Sequence, residues 1–307
     1  IDSFINTYIT LPFYYLLERN FARPQILENN KRLDSFWKTK YKNNKGQLVD
    51  GLKNPMNSFK AKTNRSMYYQ YLPSEIRLEP DGSYSVNGNA PSADKVDMAV
   101  FKKYCEYIKK WQFEKGLITT NDSAYIALRL LKKNPRISKW LVKRFPHIIV
   151  DEAQDNSLMQ HQIFEELNKQ GLKNIEFIGD PYQSLYEFRD ANPQLFLEKY
   201  NHEDYQGLDL SYNRRSPQRI IDCFSLLRPV AERTIKSACK TDLNESLMIY
   251  RYKTNDRGEI INNFELYCNG KGYQKLKVVV RGNSVRNKML GRDAQQKPWH
   301  NQLAYDL

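Results

Sequence analysis

Long apolar runs are missing from this sequence: purely apolar stretches such as residues 124–128 are far too short to span a bilayer, so no transmembrane helix is expected. The N-terminus also has no basic n-region, apolar core or small-residue cleavage site. Nothing there supports export, and a cytoplasmic protein without a membrane partner is expected. Cysteine is scarce, and Cys105, Cys223, Cys239 and Cys268 are widely scattered with no C-x-x-C pair, which reads as reduced thiols rather than a disulfide framework or zinc site. Acidic residues are the minority charge, 35 against 48 Lys plus Arg, leaving a formal net charge of +13 over 307 residues. That surplus points to a polyanionic partner, nucleic acid being the usual one. Aromatic residues are plentiful, with 21 Tyr and 14 Phe, which argues against wholesale disorder, and a length of 307 residues allows two domains with a sizeable core. The chain opens on Ile1 rather than Met, and a piece of a longer protein is expected.

Along the chain, residues 1–17 are apolar-rich and predict a helix that breaks at Pro12. Residues 23–92 are dense in Lys, Asn, Tyr and Pro without sustained periodicity. Between Lys38 and Arg65 eight basic residues face one acid, Asp50, with Tyr41 and Phe59 interleaved and Trp37 just ahead. Basic groups neutralise phosphates and aromatic faces stack on bases, so a single-strand contact surface and a solvated irregular face are both compatible with the pattern. Residues 94–115 carry Val96, Val100, Tyr104, Tyr107, Ile108 and Trp111 at helical spacing. A second helix is predicted over residues 122–133, closed by Asn134-Pro135. Residues 145–150 form a short β-branched run ending in Asp151-Glu152. After a helical stretch at 163–167, a second such strand, 175–178, ends in Gly179-Asp180-Pro181. Strand, helix, strand with acids at the carboxyl ends describes an α/β sheet whose ligand edge carries the chemistry. A further strand is predicted over 277–280.

Asp151-Glu152 after a buried strand suits a nucleotide hydrolase, in which one carboxylate holds Mg²⁺ and the next orients or deprotonates water. The wider string Val150-Asp151-Glu152-Ala153-Gln154-Asp155 resembles the Walker B box of the UvrD/Rep-like superfamily 1 DNA helicases. Ile178-Gly179-Asp180-Pro181-Tyr182-Gln183-Ser184-Leu185-Tyr186-Glu187-Phe188-Arg189-Asp190-Ala191 is similar to their third motif. Leu210-Ser211-Tyr212-Asn213-Arg214-Arg215-Ser216 is similar to the fourth, and Ile1-Asp2-Ser3-Phe4 resembles the end of their DNA-touching T-[FI]-[HD]-S-F motif. Ile118-Thr119-Thr120-Asn121-Asp122 sits where the family carries a D-F-D-D-L-like segment. The motifs follow the family's order.

The resemblance implies an α/β fold: a RecA-like, P-loop NTPase-type parallel sheet with a largely helical insertion subdomain and part of a second RecA-like domain. The implied division is 1–20 and 116–205 for the first RecA-like domain, 21–115 for the insertion and 206–307 for the partial second domain. It also implies residue roles. Asp151 binds Mg²⁺, Glu152 is the catalytic base, Gln183 senses the ATP γ-phosphate and Arg215 is the arginine finger. Ser3, Phe4, Tyr186, Phe188 and Arg189 contact DNA, the two later aromatics by stacking on unpaired bases. The activity implied is ATP-dependent translocation on single-stranded DNA and 3′-to-5′ unwinding at duplex junctions, with a nuclease or repair factor as a protein partner.

Asp2, Asp190 and Arg214 replace the family's commoner His, Gly and Tyr. More serious, no G-x-x-x-x-G-K-[ST] occurs, and the nearest cluster, Gly270-Lys271-Gly272, has the wrong spacing. Without that loop this chain by itself is expected to be inactive on ATP. Two explanations stand: a longer gene product, which retention of Glu152, Gln183 and Arg215 favours, or a non-catalytic helicase-like subunit for DNA binding or partner docking in repair or antiphage defence. A basic nuclease using Asp151, Asp155 and Asp180 around Mg²⁺ is disfavoured by the lack of further clustered acids.

Overall fold

Pro12 does not end the N-terminal helix in the computed structural model, which describes residues 1–17, 24–27, 29–184, 191–226, 235–240, 248, 257–273 and 275–279. Asp2–Ile5 (α1) passes through a π turn, Asn6–Thr10, into Leu11–Phe13 (α2) and a closing 3-10 turn, Tyr14–Leu16. Proline lacks the N–H of a regular helix and its ring crowds the preceding turn; a widened turn just ahead lets the helix run on. The chain divides into two compact units, Ile1–Asp209 and Leu210–Leu307.

Within the first unit, Gln25–Ile26 (β1) and Arg32–Ser35 (α3) lead to an antiparallel hairpin of Lys38–Lys42 (β2) and Leu48–Leu52 (β3). A second hairpin joins Ile76–Leu78 (β4) to Tyr84–Val86 (β5), and Met98–Glu114 (α4) follows. This segment is therefore mostly hairpins and turns with one long helix, which corrects the expectation of a largely helical insertion. Local side-chain bonds explain the difference. Asn43 Oδ1 accepts the N–H groups of Lys45 and Gln47 at 2.9 and 3.0 Å, and Asp81 Oδ1 accepts that of Ser83 at 2.8 Å. Such bonds compete with a helix for the backbone donors and fix turns instead.

The helix predicted over 94–115 begins at Met98 because Asp97 caps it, its side chain accepting from the N–H groups of Ala99 and Val100. Its apolar face enters a core of Trp37, Met56, Tyr68, Ile76, Phe101, Tyr104 and Ile108. Two tyrosines close that core with hydroxyl bonds, Tyr68 to the Asp34 carbonyl (2.7 Å) and Tyr104 to the Tyr71 carbonyl (2.6 Å). Burial, followed by the charge of Asp34, pushes Tyr68 up to about 12. Cys105 lies in the same core and its thiol is also pushed up by burial, an inert rather than reactive cysteine. None of the four cysteines forms a disulfide.

Leu117–Ile118 (β6) returns to pair in parallel with β1, so both ends of the 24–115 segment leave the rest of the unit side by side. Thr120–Lys133 (α5) follows, capped by a reciprocal Thr119–Asp122 box, and Pro135–Arg144 (α6) restarts the helix that Asn134-Pro135 was expected to close. Proline at the first helical position suits a helix start, and this second helix was not foreseen. His147–Val150 (β7), Leu158–Lys169 (α7) and Asn174–Phe177 (β8) form the predicted strand, helix and strand, with β7 and β8 parallel and Val150 opposite Phe177. Pro193–Asn201 (α8) completes the unit. The second core gathers Ile5 and Ile9 from the N-terminal helix, Ile126, Ala127, Leu130 and Leu131 from α5, and Ile163, Phe164 and Leu167 from α7.

His161 of α7 is 1% exposed, stacks on Phe177 at 5.9 Å between centroids, and neither ring nitrogen has a hydrogen-bond partner. Burial, then the nearby Lys199 charge, lowers it from 6.5 to about 4. Between those values the unfolded chain binds a proton that the folded chain does not. Stability therefore falls as pH drops through 6.5 toward 4, by roughly 3 kcal/mol if fully expressed. Urea midpoints at pH 7.5 and 5 should differ more for the wild type than for His161→Leu; equal pH dependence in both would contradict this.

In the second unit, Tyr212–Asn213 (β9) precedes Gln218–Ser225 (α9) and pairs in parallel with Lys236–Ser237 (β10); Arg257–Gly270 (α10) comes later. Residues 277–279 form no strand, which corrects that expectation, and Val280 lies outside the described residues. Val279 is 94% exposed, and among the described residues no strand pairs with this stretch. No helix of the described residues is long and apolar enough to cross a membrane.

Candidate active site

At the carboxyl end of β7 the chain turns abruptly. Asp151 Oδ1 accepts the N–H of Glu152 at 2.9 Å, and Glu152 itself has φ +53°, in the left-handed region that non-glycine residues enter at a cost of about 1–2 kcal/mol. The turn leaves both carboxylates on the surface while Ala153 and Gln154 go inside. Gln154, 1% exposed, has both ends of its amide engaged. Its Nε2 donates to Glu152 Oε2 at 2.7 Å and its Oε1 accepts the N–H of Asp180 at 3.1 Å.

The segment after β8 is pressed onto this turn. The Ala153 N–H donates to the Ile178 carbonyl at 2.9 Å, and a Cβ at Gly179 would clash with Gln154 Oε1 and sit 3.2 Å from the backbone nitrogens of Ala153 and Gln154. Glycine makes that approach without displacing the Gln154 amide. Asp180 then caps a short 3-10 turn, Pro181–Gln183, with Oδ1 accepting from the Tyr182 N–H (3.1 Å) and Oδ2 from Gln183 Nε2 (2.9 Å). Ser184 reaches back to Asp155 Oδ1 at 3.3 Å. A bonded path thus runs from Glu152 through Gln154 and Asp180 to Gln183, joining the two predicted site segments.

Asp151 and Glu152 present exposed oxygens at a strand end, the chemistry Mg²⁺ takes when it uses one or two carboxylates and draws its remaining ligands from water and phosphate. Among the described residues no group of three or more His, Cys, Asp or Glu is gathered closely enough to hold a metal by itself. The residues present fit the cation and base side of a nucleotide site. They do not include a loop to cradle the phosphates.

Residues 14–204 match the UvrD/REP helicase N-terminal domain, a span that includes both site segments and more than half of the chain. The chain belongs to that family. Similar curated proteins include two ATP-dependent helicase/nuclease subunits of the A type. That of Listeria monocytogenes is 31% identical over 137 residues, covering 41% of this chain and 11% of the relative, and that of Thermoanaerobacter sp. is 34% identical over 140 residues, again 41% and 11%. The RecBCD enzyme subunit RecB of Buchnera aphidicola is 32% identical over 127 residues, also 41% and 11%. The chain thus matches about a tenth of the length of these relatives.

The other residues expected to work in a UvrD/REP helicase domain are placed as follows. Ser3 is exposed, whereas Phe4 is half-buried, packed on Tyr8 and Phe145 at 5.5 and 5.4 Å between ring centroids. Asp2, which stands where His is commoner, accepts from Gln160 Nε2 at 2.8 Å and so ties α1 to α7. Tyr186, Phe188 and Arg189 lie outside the described residues. Arg215 belongs to the second unit, exposed beside Arg214, with its N–H and that of Ser216 held by Asn213 Oδ1 at 2.9 Å each.

The basic stretch between Lys38 and Arg65 divides in two. Trp37 is buried against Trp111 at 4.7 Å and is core, while Phe59 is half-buried and packs against the same core through Tyr104 at 5.6 Å. Lys38, Lys40 and Lys42 alternate along β2 and are all exposed, so they share one face of the hairpin. Tyr41 points to the other face and lies over Gly51, where a Cβ would come within 2.6 Å of its ring, yet it remains 55% exposed. Gln154 is the residue of this turn that sequence reasoning does not single out; it stands within the Walker B-like string, and only its burial and its two partners set it apart.

Proposed function

We propose that the full protein is an ATP-dependent DNA helicase or translocase that moves on single-stranded DNA with 3′-to-5′ polarity and works at duplex junctions. Its first domain is read as RecA-like, built around β7 and β8, with residues 24–115 as the inserted accessory subdomain. The observation that carries this reading is the bonded path from Glu152 through Gln154 and Asp180 to Gln183, which supports it by gathering two carboxylates and an amide at one sheet edge. Membership of the UvrD/REP helicase N-terminal domain family supports it.

In this reading Asp151 holds Mg²⁺, and the bound Mg²⁺–ATP supplies the phosphoanhydride whose cleavage drives movement. Glu152 takes the proton of the attacking water, at Oε1, since Oε2 is committed to Gln154. Gln183 offers an amide that both donates and accepts, suited to a terminal phosphate. Arg215 neutralises charge developing on the transferred group. Ser3, Phe4, Tyr186, Phe188 and Arg189 serve the DNA strand, and the Lys38, Lys40 and Lys42 face adds phosphate neutralisation. A nuclease or repair factor is the partner expected.

A second reading, a non-catalytic helicase-like subunit, draws on the absence of a phosphate-cradling loop from these residues. One assay separates the two. ATP hydrolysis by the product of the whole open reading frame, measured with and without single-stranded DNA, should be present and stimulated by DNA. Inertness under both conditions, with DNA binding retained, would favour the second reading.

A further inference from the structure

We infer that Gln154 is a positioning residue that fixes the Glu152 carboxylate to the Asp180 turn, so that the base and the Gly179–Gln183 segment move as one body. The inference rests on the proposed hydrolytic role of Glu152 and specifies how that carboxylate is held. Four observations converge on it. Gln154 is 1% exposed, so its amide is not a surface group that chooses partners from solvent. One end is bonded within its own turn and the other across to the second segment: Nε2 donates to Glu152 Oε2 (2.7 Å), and Oε1 accepts the N–H of Asp180 (3.1 Å). The backbone at Glu152 is held at φ +53°, a conformation that persists only where surroundings enforce it. Gly179 leaves no room for a Cβ beside Gln154 Oε1, so the amide is clamped from the second segment as well.

An amide is the side-chain type that can serve both ends, because one group must donate to a carboxylate while the other accepts from a backbone N–H. Ionised glutamate at this position would keep the acceptor, lose the donor and set two carboxylates against each other. Methionine would keep the volume and lose both. Any displacement of Gln183, bonded to Asp180 Oδ2 at 2.9 Å, is then transmitted through Asp180 and Gln154 to Glu152. The device links the side of the site that meets phosphate to the side that activates water.

The test compares Gln154→Glu and Gln154→Met with the wild type in the product of the whole open reading frame. Amide hydrogen exchange at Asp180 needs neither nucleotide nor DNA. Its protection should fall at least about tenfold in Gln154→Met and be retained in Gln154→Glu. DNA-stimulated kcat should fall roughly tenfold to hundredfold in both variants with little change in the KM for ATP, since both lose the bond to the base. Unchanged protection at Asp180, or wild-type kcat, in Gln154→Met would overturn the inference. If the wild type itself hydrolyses no ATP, the proposed function fails while the exchange result still decides whether Gln154 forms the bridge.

Discussion

Asp122→Ala is expected to destabilise the first unit by about 3–5 kcal/mol, a large part of the roughly 5–15 kcal/mol typical of a folded domain. Asp122 is wholly buried, and its Oδ1 lies 2.7 Å from Lys109 Nζ, whose side chain is 3% exposed. Its other oxygen accepts the N–H of Thr119 at 3.0 Å, and its own N–H donates to Thr119 Oγ1 at 3.1 Å. The pair joins α4, which carries the core of the 24–115 segment, to the first turn of α5, which carries the other core. Removing the carboxylate leaves a buried ammonium with no counter-charge and takes away half of the capping box. Replacing both charges, Lys109→Met with Asp122→Asn, should recover much of the loss, because the Asn oxygen can still accept from Thr119 and no ion is stranded. Urea midpoints of the two variants and the wild type measure this; a loss under about 1 kcal/mol in Asp122→Ala would show that the pair adds little.

The surroundings of Asp122 explain why so small a segment has so large an expected effect. The Leu78 N–H donates to Asn121 Oδ1 at 3.0 Å, and Thr10 Oγ1 donates to the Ser123 carbonyl at 2.8 Å. Residues 119–123 thereby touch β4, α4 and the N-terminal π turn together. In the sequence, this stretch has only a family position and a helix start. What makes it a junction is a set of contacts with residues 13 to 113 positions away, which no local pattern reveals.

The strands and helices around the site are legible for a related reason: they are coded locally. β7 is a short β-branched run, β8 alternates Ile175 and Phe177 with polar residues, and α4, α5 and α7 carry apolar residues at helical spacing, so each element declares itself locally. The hairpins at β2–β3 and β4–β5 are harder to see, because their turn chemistry, Asn43 with Gly46 and Asp81 with Gly82, is set in a strongly basic composition that suggests a solvated surface. The same composition makes Trp37 and Phe59 look like a nucleic-acid surface, when α4 folding back buries the first and covers part of the second. In the site itself, the motif strings identify Asp151, Glu152 and Gln183. The bridging part played by Gln154 depends on the approach of Gly179 from 25 residues away, and that approach exists only in three dimensions.

Glu152→Gln is expected to lower DNA-stimulated ATP turnover by about a hundredfold to ten-thousandfold, the range associated with loss of a general base. The substitution is nearly isosteric. Its amide oxygen can still accept from Gln154 Nε2, and the exposed turn places no demand on its charge for folding. Stability, single-stranded DNA binding and nucleotide binding should therefore survive while the chemical step does not. That separation distinguishes a base from a structural carboxylate at the end of β7. The decisive measurement is the steady-state ATP turnover of wild type and Glu152→Gln at saturating single-stranded DNA, each from the whole open reading frame. Turnover in the wild type that collapses in the variant, with DNA affinity unchanged, is the predicted result; equal turnover in both would contradict the assignment of this strand end as the hydrolytic site.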